Sequence, residues 1–292
     1  MEQLIADNPD INCKMYHTSG EKDATVLADY AAREAKGDVV LVACGGDGTV
    51  QEVANGITAH DNAILGIIPV GSGNDLVRQL GGGLKEGAKY RSLYAHFNGE
   101  VGKMDLIKMS WMEDDEEKTR YVVNGINIGF DGNAAILKNK LALNPYISGP
   151  SAYIIAVART FAEKKGENLK VIVDGEELHN GETLLTTIGN GGFCGGGFHS
   201  LPRADLYDGL LELLVVKDIT RRAFVSLIKK YKDGKILDIE NRDKYLKYTQ
   251  AKSIVIEPLA TQNMQFVGDG EAFETGILKI EVVPKALKVL EV

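Results

Sequence analysis

The chain has 292 residues, a net charge of −8 and a hydrophobic fraction of 44%. This length predicts two domains, and the acidic balance argues against bulk nucleic-acid binding. The longest apolar stretches are too short to cross a bilayer, and no secretory signal is expected. The three cysteines, Cys13, Cys44 and Cys194, lack metal-ligand spacing and indicate a cytoplasmic protein.

The first third of the chain predicts alternating strands and helices. Residues 18–21 have capping-box spacing before the first helix. Apolar runs and helical periodicity place strands at residues 11–16, 39–43 and 63–69, with helices at residues 24–35 and from Val50 to Ile57. Continuous apolar strands between helices predict a mostly parallel sheet covered by helices on both faces.

Two glycine-rich turns follow the second and third of these strands. The first is Gly45-Gly46-Asp47-Gly48-Thr49, and the second is Pro69-Val70-Gly71-Ser72-Gly73-Asn74-Asp75. Glycines let backbone amides approach phosphate oxygens, and the positive end of a helix dipole favours an anion. Since a carboxylate beside a phosphate requires a cation, the turns predict a site for a nucleotide with Mg²⁺.

The rest of the chain alternates at period two from about Met104 and predicts an antiparallel, sandwich-like β-rich domain. The acidic run 113–117 is expected at a hairpin tip, and helices are expected near residues 151–165 and 221–230. We therefore predict a nucleotide-binding α/β domain at residues 1–104 and a β-rich substrate domain at 105–283. The terminal strand, within residues 284–292, is expected to return to the first domain.

Further acids stand at strand ends in this second part. Asp105 lies at the domain junction, and Asp269-Gly270-Glu271 lies near the end of the chain. Asp-Gly is a strong hairpin signal, yet a carboxylate beside a nucleotide also suits a general base, so both interpretations stay open. The loop at residues 195–210 has oxygen ligands for a hard cation, or it is an ordinary connection.

In combination, these motifs resemble those of the diacylglycerol kinase catalytic-domain family. The first turn with Glu52, the second turn, Pro202-x-Ala204-x-x-x-Asp208-Gly209-Leu210 and Asp269-Gly270-Glu271 occur in the family's order across most of the chain. The resemblance is strongest to bacterial lipid kinases related to diacylglycerol and sphingosine kinases. It implies an α/β nucleotide domain and a β-rich lipid domain with the active site between them.

The resemblance also implies roles for individual residues. ATP would be contacted by residues of the two turns and their neighbours: Thr18, Gly45, Gly46, Asp47, Gly48, Thr49, Glu52, Gly71, Ser72, Gly73 and Asn74. Asp47, Asp75 and Asp105 would form an acid network around the catalytic Mg²⁺. Asp208 would bind a second Mg²⁺ with the carbonyls of Asp205 and Leu210. Glu271 would deprotonate the lipid hydroxyl, with Asp269 as the rival base.

One departure bears on ATP binding. Family members usually begin with a strand followed by Asn-Pro-x-x-Gly, whereas Asn8-Pro9 here lacks the glycine and precedes the predicted strand. We therefore expect that strand and its phosphate loop to lie upstream of Met1, with ATP binding weakened or lost in residues 1–292, which calorimetry would measure.

The expected activity is transfer of the γ-phosphate of ATP to a lipid hydroxyl, with diacylglycerol as the first candidate. A kinase of the NAD-kinase type and a non-catalytic lipid- or nucleotide-binding homologue are the alternatives. The basic stretch from Lys217 to Lys252 is either a solvated face or a patch that docks peripherally on the inner, anionic membrane surface. The sequence is compatible with a homodimer but does not fix the oligomeric state.

Overall fold

The computed structural model describes residues 12–81, 86–142, 155–156, 159–160 and 166–292. Within them, thirteen strands form one mixed sheet. The strands are β1 (Val39–Gly45), β2 (Ala63–Pro69), β3 (Glu100–Glu113), β4 (Glu116–Val122), β5 (Gly125–Gly129), β6 (Glu167–Val173), β7 (Glu176–Gly189), β8 (Leu211–Lys217), β9 (Leu246–Ala251), β10 (Ser253–Pro258), β11 (Met264–Gly268), β12 (Glu271–Thr275) and β13 (Leu278–Glu291). The helices are α1 (Asp23–Glu34), α2 (Asp47–Ile57), α3 (Asp75–Leu80), α4 (Leu93–His96), α5 (Phe130–Ala142) and α6 (Arg221–Lys232), with short 3-10 helices at Glu86–Arg91, Ile236–Asp238 and Arg242–Lys244.

The N-terminal part confirms the predicted α/β arrangement. β1 and β2 pair in parallel from Val39 opposite Ala63 to Gly45 opposite Pro69. The buried alanines of α1 make a small-residue face, and Gly56 of α2 lies so close to Thr25 and Ala28 of α1 that a side chain there would clash. Because such contacts need no large side chains, the two helices pack tightly beside the sheet.

The start of this part differs from prediction. Residues 12–16 form no strand, and residue 11 lies outside the described residues. The predicted capping box is also wrong, because α1 begins at Asp23 with Lys22 in the left-handed conformation. The Ser19 backbone amide and hydroxyl donate instead to the Asp23 carboxylate. With exposed side chains over residues 12–16, no buried apolar face favours a strand there.

The second part confirms the predicted antiparallel, sandwich-like sheet. β3 and β4 form the hairpin whose exposed tip carries the acidic run, and β5, β6, β7, β8, β10, β11 and β12 pair in antiparallel fashion. α6 matches the predicted helix near 221–230. The helix predicted near 151–165 lies largely outside the described residues, although 155–156 and 159–160 are helical.

The two halves share the long strands β3 and β13. Met104 and Leu106 pack in the N-terminal core, whereas Ile107 and Met109 pack in the core of the β-rich part. β13 returns to the first half, where Val289 pairs in parallel with Leu65 of β2, as predicted for the terminal strand. The division at residues 104 and 105 stays a prediction.

Candidate active site

The two glycine turns contact each other at one edge of the sheet. β1 and β2 are adjacent and parallel, so the turns after Gly45 and Pro69 emerge side by side, where open α/β sheets bind ligands. A side chain at Gly71 would overlap the Cα of Gly46. Glycine at both positions therefore permits the close approach of the two backbones.

Asp47 joins the two turns through its carboxylate. Its Oδ2 accepts a hydrogen bond from the Asn74 amide at 2.9 Å, and its Oδ1 accepts one from the Asp75 amide at 2.8 Å. Asp47 is the first residue of α2, yet it satisfies amides at the start of α3. The N-terminus of α2 has no side-chain cap of its own, so its amides are available to an anion.

Asp75 is a buried carboxylate directly beside Asp47. Its Oδ2 accepts a hydrogen bond from the Gly196 amide at 2.9 Å, while its buried Oδ1 accepts none and lies 3.6 Å from Nε of Arg78. Burial, reinforced by the negative charge of Asp47, raises the pKa of Asp75 to about 6. An open carboxylate oxygen at this position suits a hard cation or one of its water ligands.

Asp269 brings the end of the chain to the same place. It occupies the two-residue turn between β11 and β12 with φ of +45°, so the hairpin interpretation is confirmed. Its side chain accepts hydrogen bonds from the amides of Val123, Asn124 and Gly125 at 2.6 to 3.1 Å. Burial raises the pKa of Asp269 to about 7, and the charge of Asp47 adds to the increase. The turn is therefore both a hairpin and part of the site.

Glu271 is the first residue of β12 and forms an ion pair with Arg120 of β4. The Arg120 Nη2 donates to the Glu271 Oε1 at 2.6 Å, and both side chains are largely covered. The guanidinium also lies over the ring of Phe273, 5.8 Å from its centroid. These contacts fix the carboxylate in one orientation beside the cavity.

One large cavity adjoins all of these groups and has a volume of about 1130 Å³. One part of its wall consists of the glycine turns with Asp47, Asp75, Asp269 and Glu271. Another part consists of apolar side chains of α5, α6 and neighbouring strands, among them Phe130, Leu185, Val216, Ile219, Phe224, Leu227 and Ile228. A polar, acid-lined region therefore opens into an apolar chamber.

The predicted site residues divide into two sets. Those that line the cavity are Gly46, Asp47, Gly48, Glu52, Gly71, Ser72, Gly73, Asp75, Asp269 and Glu271. Those that do not are Thr18, Gly45, Thr49, Asn74, Asp105, Asp205, Asp208 and Leu210. Glu52 accepts hydrogen bonds from the amides of Lys22 and Ala24, so its carboxylate already holds the start of α1.

Asp105 does not line the cavity. It is fully buried, its Oδ1 accepts from the Lys285 amide and its Oδ2 accepts from the Gly209 amide, both at 2.7 Å. Of the predicted network of three acids, Asp47 and Asp75 line the cavity together with Asp269, whereas the place of Asp105 in that network stays a prediction. Both oxygens of Asp105 hold backbone segments.

The predicted second metal site forms a compact loop. Asp205 Oδ1 accepts from the Tyr207 amide, and Asp208 Oδ1 accepts from the Leu210 amide, each at 2.9 Å. Burial raises the pKa of Asp208, with smaller contributions from Asp205 and Asp105. In the described part of the chain, no group of three or more His, Cys, Asp or Glu is arranged to hold a metal ion. A site that relies on backbone carbonyls stays a prediction.

Several cavity residues were not predicted from the sequence. Arg120 interrupts an alternating strand pattern without any motif to mark it. Gln51 is buried and contacts the backbone of Tyr121 and Val123 through its side-chain amide. The apolar wall of α5 and α6 could be anticipated only as helix faces, because periodicity does not distinguish a cavity wall from a core.

Comparisons with known proteins agree with these observations. The family model for the YegS C-terminal NAD kinase beta sandwich-like domain matches residues 124–291, and that for the diacylglycerol kinase catalytic domain matches residues 3–109. The chain is 30% identical over 285 residues to a diacylglycerol kinase of Staphylococcus aureus, covering 92% of this chain and 82% of the relative. It is 28% identical over 254 residues to a probable lipid kinase YegS-like of Pectobacterium atrosepticum, covering 85% and 76%.

A solved structure of a diacylglycerol kinase from Bacillus anthracis has the same fold. Its TM-score is 0.70 at 23% identity, with 100% of this chain and 89% of that chain covered. Among the helices that the structure describes, none is long and apolar enough to span a bilayer.

Proposed function

The chain belongs to the diacylglycerol kinase family, and from this premise we propose that it is an ATP-dependent lipid kinase that phosphorylates a lipid hydroxyl. Diacylglycerol is the first candidate substrate, because relatives across most of the chain carry that name. One observation carries the proposal: the cavity that begins at the glycine turns continues as an apolar chamber. A soluble substrate would have no use for such a chamber, whereas acyl chains would fill it.

The polar end of the cavity supplies what phosphate binding requires. The amides of Gly46 and Gly48, at the uncapped start of α2, suit the phosphate oxygens of ATP. Asp47 and Asp75, whose buried Oδ1 accepts no hydrogen bond, would hold Mg²⁺, and the ion would neutralise phosphate charge. We assign these two carboxylates to the metal.

Glu271 is the stronger of the two candidates for the general base. The Asp269 oxygens are already engaged by three backbone amides, whereas Glu271 has one cationic partner and faces the cavity. In this proposal Glu271 accepts the proton of the lipid hydroxyl as the hydroxyl oxygen bonds to the γ-phosphorus. The bond from the γ-phosphorus to the bridging oxygen breaks, and ADP leaves with that electron pair.

The test is transfer of label from γ-labelled ATP to diacylglycerol in mixed detergent micelles, with NAD as the competing acceptor. We expect labelled phosphatidic acid, and a Glu271→Ala variant that folds but transfers at a rate at least a thousandfold lower. Label in NAD alone would support the soluble-substrate alternative. Binding of ATP or lipid without any transfer would support a non-catalytic homologue.

We also propose that α6 docks the protein peripherally on an anionic bilayer. The helix carries five basic residues and no acidic one, in a chain whose net charge is −8. Arg222, Val225 and Lys229 are exposed on one face, while Phe224, Leu227 and Ile228 of the other face line the cavity. The same helix would therefore connect the bilayer surface to the apolar chamber.

Vesicle sedimentation tests this docking. A variant with Arg222→Gln and Lys229→Gln should bind phosphatidylglycerol-containing vesicles about thirtyfold more weakly, at ~1 kcal/mol per charge. The matched control, Lys36→Gln with Lys103→Gln, removes two exposed charges outside the basic stretch and should bind normally. Equal binding to anionic and neutral vesicles would refute the docking while leaving the kinase proposal intact.

A further inference from the structure

A polar cluster from α5, α6 and neighbouring segments lies among the apolar side chains of the chamber. Asp131 is in the first turn of α5, and the Tyr231 hydroxyl of α6 donates a hydrogen bond to its Oδ2. The same hydroxyl is 3.5 Å from Oγ1 of Thr187 and 3.7 Å from Sγ of Cys194. Asp131, Cys194 and Tyr231 all line the cavity. None of them has a role in the proposed phosphoryl transfer.

The Asp131 carboxylate is incompletely satisfied by the protein. Within the described residues, Tyr231 supplies its one hydrogen bond, and no basic side chain pairs with it. Burial raises the pKa of Asp131 to about 6, so the group is mainly ionised at neutral pH. A carboxylate accepts several hydrogen bonds, and Oδ1 therefore retains the capacity to accept a further donor.

Binding of a lipid makes the missing hydrogen bond to Asp131 more unfavourable. Acyl chains that fill the chamber displace its water, and a charged carboxylate without donors in an apolar environment is strongly unfavourable. The Tyr231 hydroxyl already donates to Asp131, so it does not donate at the same time to an ester carbonyl of the lipid. A lipid that itself carries a hydrogen-bond donor would satisfy Oδ1 when water leaves.

We propose that Asp131, held by Tyr231, is a specificity-determining residue that accepts a hydrogen bond from a second hydroxyl or amine group of the lipid substrate. This inference rests on the lipid kinase function proposed above and narrows its substrate class. The favoured substrates are lipid alcohols with a second donor besides the phosphorylated hydroxyl. In diacylglycerol the other two oxygens of the glycerol are esterified, so this lipid offers no hydrogen-bond donor to the Asp131 carboxylate.

The experiment compares monooleoylglycerol, which keeps a second free hydroxyl, with dioleoylglycerol, in which that hydroxyl is esterified. Both are measured in the same micelles as kcat/KM for phosphorylation and as equilibrium binding without ATP. We expect the wild type to favour monooleoylglycerol by about tenfold or more, and Asp131→Leu to abolish this preference. Tyr231→Phe, which keeps the carboxylate but removes its hydrogen bond from α6, should retain the preference.

The outcomes separate recognition from a structural role and from failure of the kinase proposal. If Asp131→Leu and Tyr231→Phe lower activity on both lipids equally, with matching losses in melting temperature, the pair is a structural link and the inference is overturned. Equal kcat/KM for both lipids in the wild type also overturns it, with the kinase function intact. If neither lipid is phosphorylated but monooleoylglycerol binding depends on Asp131, the kinase proposal fails and recognition by Asp131 is supported.

Discussion

Carboxylates occupy two different environments in this protein. At the cavity, Asp47, Asp75 and Asp269 lie close enough for the charge of Asp47 to raise the pKa of the other two. At the junction of β3 with β13, Asp105 is fully buried, and both its oxygens accept backbone amides. Asp47 and Asp269 also accept backbone amides, but with Asp75 they line the cavity and repel one another, whereas Asp105 does not line the cavity.

The difference shows that a covered carboxylate has no fixed role. Crowded carboxylates destabilise one another and therefore benefit from a cation, which suits chemistry on a phosphorylated ligand. An enclosed carboxylate contributes to stability, because its amide donors compensate for its loss of hydration. Substitutions in the two groups should accordingly separate activity from stability.

The largest effect is expected for Asp47→Ala. Loss of the carboxylate should lower kcat/KM by about a thousandfold or more, because the proposed Mg²⁺ site would lose one of its two carboxylates. Stability should fall by only about 1–2 kcal/mol, since the Asn74 and Asp75 amides lose their acceptor. Kinase assays measure kcat/KM, and urea denaturation measures the free energy of unfolding. Wild-type activity in the folded variant would remove Asp47 from the proposed mechanism.

Asp105→Asn should lower stability strongly and activity only slightly. The new amide group would face one of two backbone donors, so we expect a loss of about 3 kcal/mol in the free energy of unfolding. Activity of the folded fraction should change only a few-fold. Asp114→Asn, at the exposed hairpin tip, is the control without effect. A stable but inactive Asp105→Asn protein would show that this acid takes part in catalysis, as proposed for the acids at the cavity.

The raised pKa of Asp269 predicts that the stability of the protein depends on pH. Its pKa is raised from 3.8 to about 7 in the folded protein, so ionisation favours the unfolded chain. The stabilisation from the protonated acid is present at low pH and is lost as pH rises towards 7. Between pH 5 and 8 the wild type should lose about 2–3 kcal/mol more than Asp269→Asn, measured in urea with EDTA. Asp243→Asn, with its exposed side chain, should show the wild-type slope.

The smallest effect is expected for Gly73→Ala. A methyl group there would overlap Oδ2 of Asp47, so the carboxylate must move although no acid is removed. We expect kcat/KM to fall by about tenfold, with a stability loss of about 1 kcal/mol. Gly37→Ala, where an added side chain meets nothing within 4 Å, is the control. Unchanged kinetics would show that the position of Asp47 matters less than its charge.

Local sequence patterns determined most of the α/β elements and the β-rich character of the second half. Strand Ala63–Pro69 and the turns beside Asp47 and Asp75 follow from apolar runs and glycines, because these features act over a few neighbouring residues. Residues 12–16 show the limit, because their side chains are exposed and no buried apolar face stabilises a strand there.

The sequence by itself determined which residues have the chemistry for a phosphate and metal site, and the order of its motifs identified the family. Only the tertiary structure decided that Asp269 joins Asp47 at the cavity, that Glu271 pairs with Arg120, and that Asp105 is enclosed elsewhere. The physical reason is distance along the chain. The residues in these contacts are more than a hundred positions apart in the sequence. The pairing of β3, β11 and β13 brings them together, and no local sequence pattern indicates that pairing.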